Sequence, residues 1–156
     1  MLKFKIIDHT NVHLLKHMVL RKEDMREAVA STGFTRIFDA LRFSVKCSNR
    51  WTKICYETES GEIIALFGLG GMPGYMIGVP WMVASPEISN YKKDLMRYSK
   101  RILRDMLVSF PRLENMVSIE NTKSIRWLKH LGFSFEEKYM RIRGVTFKRF
   151  FIERTK

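Results

Sequence analysis

A chain of 156 residues with 46% hydrophobic composition has material for one sizeable core and too little for two, so residues 1–156 read as a single domain. Cys47 and Cys55 form no CxxC pair, which excludes a disulfide framework and a thiolate zinc site and fits a reducing cytoplasm. The formal charge of +12 is lopsided: residues 1–90 carry 11 Lys/Arg against 9 Asp/Glu, residues 91–156 carry 17 against 7. That balance suits an anionic partner or simple solubility, and with no zinc finger, recognition helix or ribonucleoprotein motif beside it, nucleic acid is not the leading partner.

In chain order, Met1 to Asp8 has lysines breaking a short apolar run, which reads as a strand over 2–8 and not as a secretory leader. Thr10 or Asn11 then caps a helix with Val12, Leu15, Val19 and Leu20 at helical spacing, and a second helical run over 22–31 is closed by Gly33. His9, His13 and His17 recur every fourth residue, but His9 precedes the cap and no carboxylate completes a set, so the row reads as structural and no metal is expected. Ile37 to Val45 reads as a helix and Trp51 to Glu57 as a strand, followed by strands over 63–67 and 75–84. Ile63 to Pro86 carries no charge for 24 residues, long enough to span a bilayer, yet Gly68, Gly70, Gly71, Met72, Pro73 and Gly74 divide it into two buried strands joined by a hairpin. The longest helix is expected over 91–110, capped by Ser89 or Asn90, with Leu95, Tyr98, Ile102, Met106 and Phe110 on one stripe and cations over much of the rest. Pro111 stops it; a strand over 113–120, a helix over 122–131 ending at Gly132, and strands over 134–142 and 146–154 turning near Arg143-Gly144 complete a mixed α/β domain.

The change of period at one residue, Asn121, carries the most information. The run NTKSIRWLKHLGF, Asn121 to Phe133, resembles the fourth motif block of the GCN5-related N-acetyltransferases, in particular the N-x-x-S-x-R-x-L-x-x-L-G-F form of those that modify protein N-termini. The resemblance implies an acyl-CoA N-acyltransferase fold with a mixed central sheet, in which the strands over 75–84 and 113–120 are parallel and splay apart to admit the pantetheine arm of acetyl-CoA. From Pro80-Trp-Met-Val83 through Glu136-Glu-Lys-Tyr139 the sequence is also similar to the internal virion protein A family of short-tailed phages, which implies a protein of the infected host cell or of the virion, with virion proteins as partners.

Carried onto this sequence, the acetyltransferase resemblance implies acetyl-CoA as cofactor and an amine of a protein or small molecule as acceptor. Met82 and Val83 would offer backbone N–H groups to the thioester oxygen, Asn121 would flank the pantetheine, and Ser85, Asn90, Lys92 and Lys93 would meet the diphosphate. Two positions depart from the family pattern. The glycine-rich diphosphate loop is replaced by Ala84-Ser-Pro-Glu-Ile-Ser-Asn-Tyr-Lys-Lys93, without a glycine, and the tyrosine general acid falls at Leu128. Ser124 is the hydroxyl left to act as acid, and Glu120 is the carboxylate nearest the junction in sequence. The alternative is a non-catalytic assembly factor that keeps the fold as a protein-binding surface.

Overall fold

The computed structural model describes residues 1–71 and 76–155. Strands β1 (Leu2–Ile6), β2 (Trp51–Glu57), β3 (Ile63–Gly71), β4 (Ile77–Ala84), β5 (Arg112–Ser118), β6 (Ser134–Ile142) and β7 (Val145–Glu153) form one sheet in the order β1-β2-β3-β4-β5-β7-β6. Helices α1 (Lys22–Thr32) and α2 (Ile37–Cys47) cover one face, α3 (Lys92–Ser109) and α4 (Thr122–Leu131) the other. Every pairing is antiparallel except β4 with β5.

Alternation along the strands feeds two cores. Leu113, Val117 and Phe150 meet Leu103, Met106 and Phe110 beneath α3, while Ile54 and Leu66 meet Leu41 of α2 and the preceding Leu15 on the opposite face. Each such side chain, taken wholly out of water, contributes about 1.5–3 kcal/mol. The tight β6–β7 turn places Arg143 (φ 46°) and Gly144 (φ 82°) in the left-handed region, as the expected turn at Arg143-Gly144 requires.

The segment before α1 departs from expectation. Val12–His17 is a 3-10 helix, and the chain then runs extended, so Met18 and Leu20 are buried while Val19 stands 65% exposed. Asn11 does not cap this helix. Its side chain folds back instead, accepting from the Asp8 N–H and donating to the Ile6 carbonyl. A second 3-10 helix, Pro86–Asn90, precedes α3, and Ser85 caps it by accepting from the Glu87 N–H. The turn of the expected hairpin at Met72, Pro73 and Gly74 lies outside the described residues. Among the described residues no helix is long and apolar enough to cross a membrane.

The parallel pair β4 and β5 touches at its beginning only. β4 stays paired with β3 from Gly78 through Ala84, but with β5 it shares just Ile77↔Arg112 and Gly78↔Leu113 before the strands part. At that vertex Phe110 lies directly on Gly78, where an added Cβ would stand 2.7 Å from the ring and 2.8 Å from Leu113 Cδ2. Glycine is therefore a packing requirement of the vertex. Gly78→Ala is expected to lower stability by about 1–3 kcal/mol, read as a drop in the urea midpoint without change of slope. An unchanged midpoint would mean that the ring yields freely.

Candidate functional site

Strands that part leave backbone groups facing one another across a gap, and each must find a partner or meet water. Residues whose N–H and C=O point the same way alternate along a strand. The Pro80 carbonyl and the Ala84 N–H both face the gap, so the backbone pair of Met82 between them does too. Pro80 is tolerated inside the sheet because its missing N–H would have pointed at no strand.

Side chains replace most of the absent ladder. Near the vertex, Asn115 Nδ2 donates to the Pro80 carbonyl at 2.8 Å, while its Oδ1 accepts from the Met116 N–H at 2.8 Å. At the open end, α1 supplies two carboxylates three residues apart, hence on one face. Asp24 accepts from the Ala84 N–H (2.9 Å), the last amide of β4, and Glu27 accepts from the Ser118 N–H (2.8 Å), the last of β5. Asn121 joins them, donating to Glu27 Oε1 at 3.0 Å and to Asp24 Oδ1 at 3.3 Å, while its own Oδ1 caps α4 through the Ser124 N–H. Arg21 completes the cluster by pairing with Asp24 at 2.9 Å and donating to Ser124 Oγ at 3.3 Å. Met82 is thus left between two side-chain bridges.

A cavity of about 480 Å³ occupies this gap, with mostly apolar walls and Glu27, Met82, Val83, Asn115 and Ser124 on its surface. Trp81, whose indole N–H donates to Ser48 Oγ at 2.7 Å, forms part of the wall toward α2; Trp127 and Leu128 form part of it toward α4. Burial, helped by the neighbouring Asp24 charge, pushes the Glu27 carboxyl up to about 7 against the pull of its hydrogen bonds from Ser118 and Asn121 and of the Arg21 charge. Burial also raises Asp24, with the Arg21 guanidinium opposing that rise.

The residues singled out in the sequence are divided by the fold. Ser124, Met82 and Val83 line the cavity. Asn121, 1% exposed, spends its amide on Asp24, Glu27 and the α4 cap and is absent from the cavity wall; Ser85, equally buried, caps the turn after β4. Glu120 is not brought to the cavity: its carboxylate pairs with Arg26 on the outer surface, and its side chain is 64% exposed. Asn90 holds Glu87 at 2.9 Å, and Lys92 and Lys93 stand exposed on the first turn of α3, whose leading amides have no side-chain cap. Asp24, Glu27 and Asn115 were missed. A usable signal lay in α1, where KEDMREAVAST offers few large apolar residues, so a helix packed on a sheet must turn polar ones inward.

A mixed sheet parted between two parallel strands, with paired helices on each face, is the fold of the GCN5-related N-acetyltransferases. Solved structures of such proteins match nearly the whole chain. They include an acetyltransferase of the family from Bacillus anthracis (15% identity, 97% of this chain and 94% of that one, TM-score 0.68) and a spermidine N-acetyltransferase from Vibrio cholerae in complex with CoA and spermine (15%, 97% and 95%, 0.65). A ribosomal-protein-S5-alanine acetyltransferase from Vibrio fischeri matches as well (14%, 97% and 92%, 0.66). No curated protein matches the chain. Within that fold, residues 60–140 match the family described as bacteriophage T7, probable scaffold protein Gp13, and the chain belongs to this family.

The raised Glu27 carboxyl fixes the sign of a pH effect. The fold favours its protonated form, so its contribution to stability is full below the unfolded value of 4.5 and is lost as pH rises through about 7. Stability of the wild type relative to Glu27→Gln is expected to fall across that window, with a slope of up to about 1.4 kcal/mol per pH unit, measured by urea denaturation at several pH values. Parallel curves for the two proteins would show that Glu27 ionises as freely as in the unfolded chain.

Proposed function

We propose that the gap between β4 and β5 receives the pantetheine arm of acetyl-CoA and that the protein transfers the acetyl group to an amine. The observation that carries this reading is the unbridged backbone pair of Met82, facing a cavity whose wall holds a carboxyl of pKa about 7. An extended ligand bearing amides satisfies such groups as an added strand would, and the mostly apolar walls suit its methylenes. Lys92, Lys93 and the uncapped first turn of α3 suit its diphosphate. A similar structure holding CoA and spermine supports the cofactor class.

When bound, acetyl-CoA supplies an acyl group activated as a thioester. Glu27, about half ionised near neutrality, takes a proton from the acceptor ammonium and frees its lone pair. The Met82 N–H, aimed into the gap, donates to the oxygen on which negative charge develops. Ser124 Oγ–H, on the same wall, would pass its proton to the departing sulfur and take in exchange the one that the acylated nitrogen sheds, while Arg21, donating to Oγ, holds the hydroxyl in position. Leu128 lies on the wall as well and takes no part in proton transfer. Glu27 is the one carboxylate among the described residues lining the cavity, which favours an acceptor with a single amine over a polyamine.

A second reading rests on the family description and on the glycine-free segment Ser85–Lys93, where Glu87 stands among the groups expected to meet a diphosphate. In it the fold serves as an assembly surface for virion proteins, of the internal virion protein A kind, in the infected cell or the particle. Both readings place the protein in a phage.

Native mass spectrometry and calorimetry separate the two. Acetyl-CoA binding is expected for the wild type, weakened at low salt by the double change Lys92→Ala, Lys93→Ala. With an amine peptide as acceptor, Ser124→Ala should lower kcat by about 10²–10⁴-fold while leaving acetyl-CoA affinity nearly unchanged. Glu27→Gln should abolish the rise of rate with pH through about 7. If the wild type neither binds acetyl-CoA nor acetylates any amine, the assembly reading stands.

A further inference from the structure

The two helical layers differ in charge. α3 and α4 carry nine Lys/Arg (Lys92, Lys93, Arg97, Lys100, Arg101, Arg104, Lys123, Arg126 and Lys129) against Asp94 and Asp105, and all nine cations are exposed. On the opposite face α1 and α2 carry four Lys/Arg against four Asp/Glu. Neutralisation within the chain is absent from the basic layer: among the described residues every ion pair lies elsewhere, and none of the nine takes part in one. We propose that the outer face of α3 and α4 is a binding surface for the phosphate backbone of a nucleic acid, sharing only Lys92 and Lys93 with the diphosphate contacts proposed above.

The composition of the face selects this partner over others. Protein interfaces are depleted in Lys and enriched in aromatic residues at their centre, whereas five of these nine cations are Lys, and no exposed aromatic residue stands on either helix. A helix that binds a lipid surface must lay apolar side chains into it, but the apolar stripe of α3 is committed to the core through Leu95, Leu103 and Met106, leaving Val108 as its one large exposed apolar residue. Backbone contacts need only cations at suitable intervals. Lys93 to Arg104 spans about 17 Å of helix, over which one strand of a duplex presents about five phosphates. Contacts made to phosphates carry no sequence information, so the binding is expected to be independent of sequence.

The test measures fluorescence anisotropy of a labelled mixed-sequence duplex of about 30 base pairs. For about five phosphate contacts the affinity should fall by two to three orders of magnitude between about 50 and 200 mM salt. The triple reversal Arg97→Glu, Arg101→Glu, Arg104→Glu, which spares Lys92 and Lys93, should weaken binding at least tenfold at the lower salt, with circular dichroism confirming the fold. Lys3→Glu, Lys5→Glu, Lys46→Glu makes the same change of net charge on exposed positions away from α3 and α4 and should weaken it less than threefold. Equal losses in the two variants would trace binding to net charge alone and overturn the assignment, as would absence of binding at 50 mM salt. Competition by poly-glutamate as effective as by unlabelled duplex at equal charge would overturn it in favour of an acidic protein.

Discussion

The hydrogen bonds that β4 and β5 do not make govern this molecule. A parallel pair that stayed zipped from Ile77 to Ala84 would leave no cavity, and a pair that parted with nothing between would orphan backbone groups at about 1–3 kcal/mol each. The fold takes a course between these extremes. Phe110 on Gly78 sets the vertex, Asn115 spans the narrow part, and Asp24, Glu27 and Asn121 span the wide part. Because the bridges are side chains and not strand backbone, they leave a stretch around Met82 open, and they bring ionisable groups to its edge.

Electrostatics divides along the same plane. Asp24 and Glu27 of α1 point inward at the strand ends, where burial alters their proton affinity, whereas the cations of α3 and α4 point outward, where water screens them. Inward acids and outward bases are thus two faces of one arrangement. The sheet separates a layer with buried acids from a layer of exposed cations.

Much of this is legible in the amino-acid sequence. The helix over 122–131 with its Gly132 stop, the strand Trp51–Glu57 and the turn at Arg143-Gly144 are written in local chemistry, and local chemistry decides them. Parting of the parallel strands followed from the family resemblance at Asn121. Val12 to Leu20 misled because Val12, Leu15, Val19 and Leu20 keep a helical spacing, whereas the extended run after the short helix buries Met18 and Leu20 and turns Val19 outward. The carboxylate cluster was invisible for a different reason. Glu120 stands next to the junction in sequence and faces solvent, whereas Glu27 reaches the Ser118 amide across 91 residues, and proximity along the chain says nothing about that contact.

Those separations bear on how the protein comes into being. Asp24 meets Asn121 across 97 residues and Arg21 meets Ser124 across 103, so α1, made early, waits through most of synthesis for the residues that discharge its buried acids. Loops of that length close slowly, and contacts of high sequence separation are rewarded only after the entropy of closing them has been spent. Until α4 emerges, Asp24 and Glu27 keep their water, and α1 has little reason to sit down on the sheet. The cluster is therefore a late arrival in folding, ordered only when both ends of a long loop are present, and a nascent chain released before Ser124 would carry β1 to β5 without it.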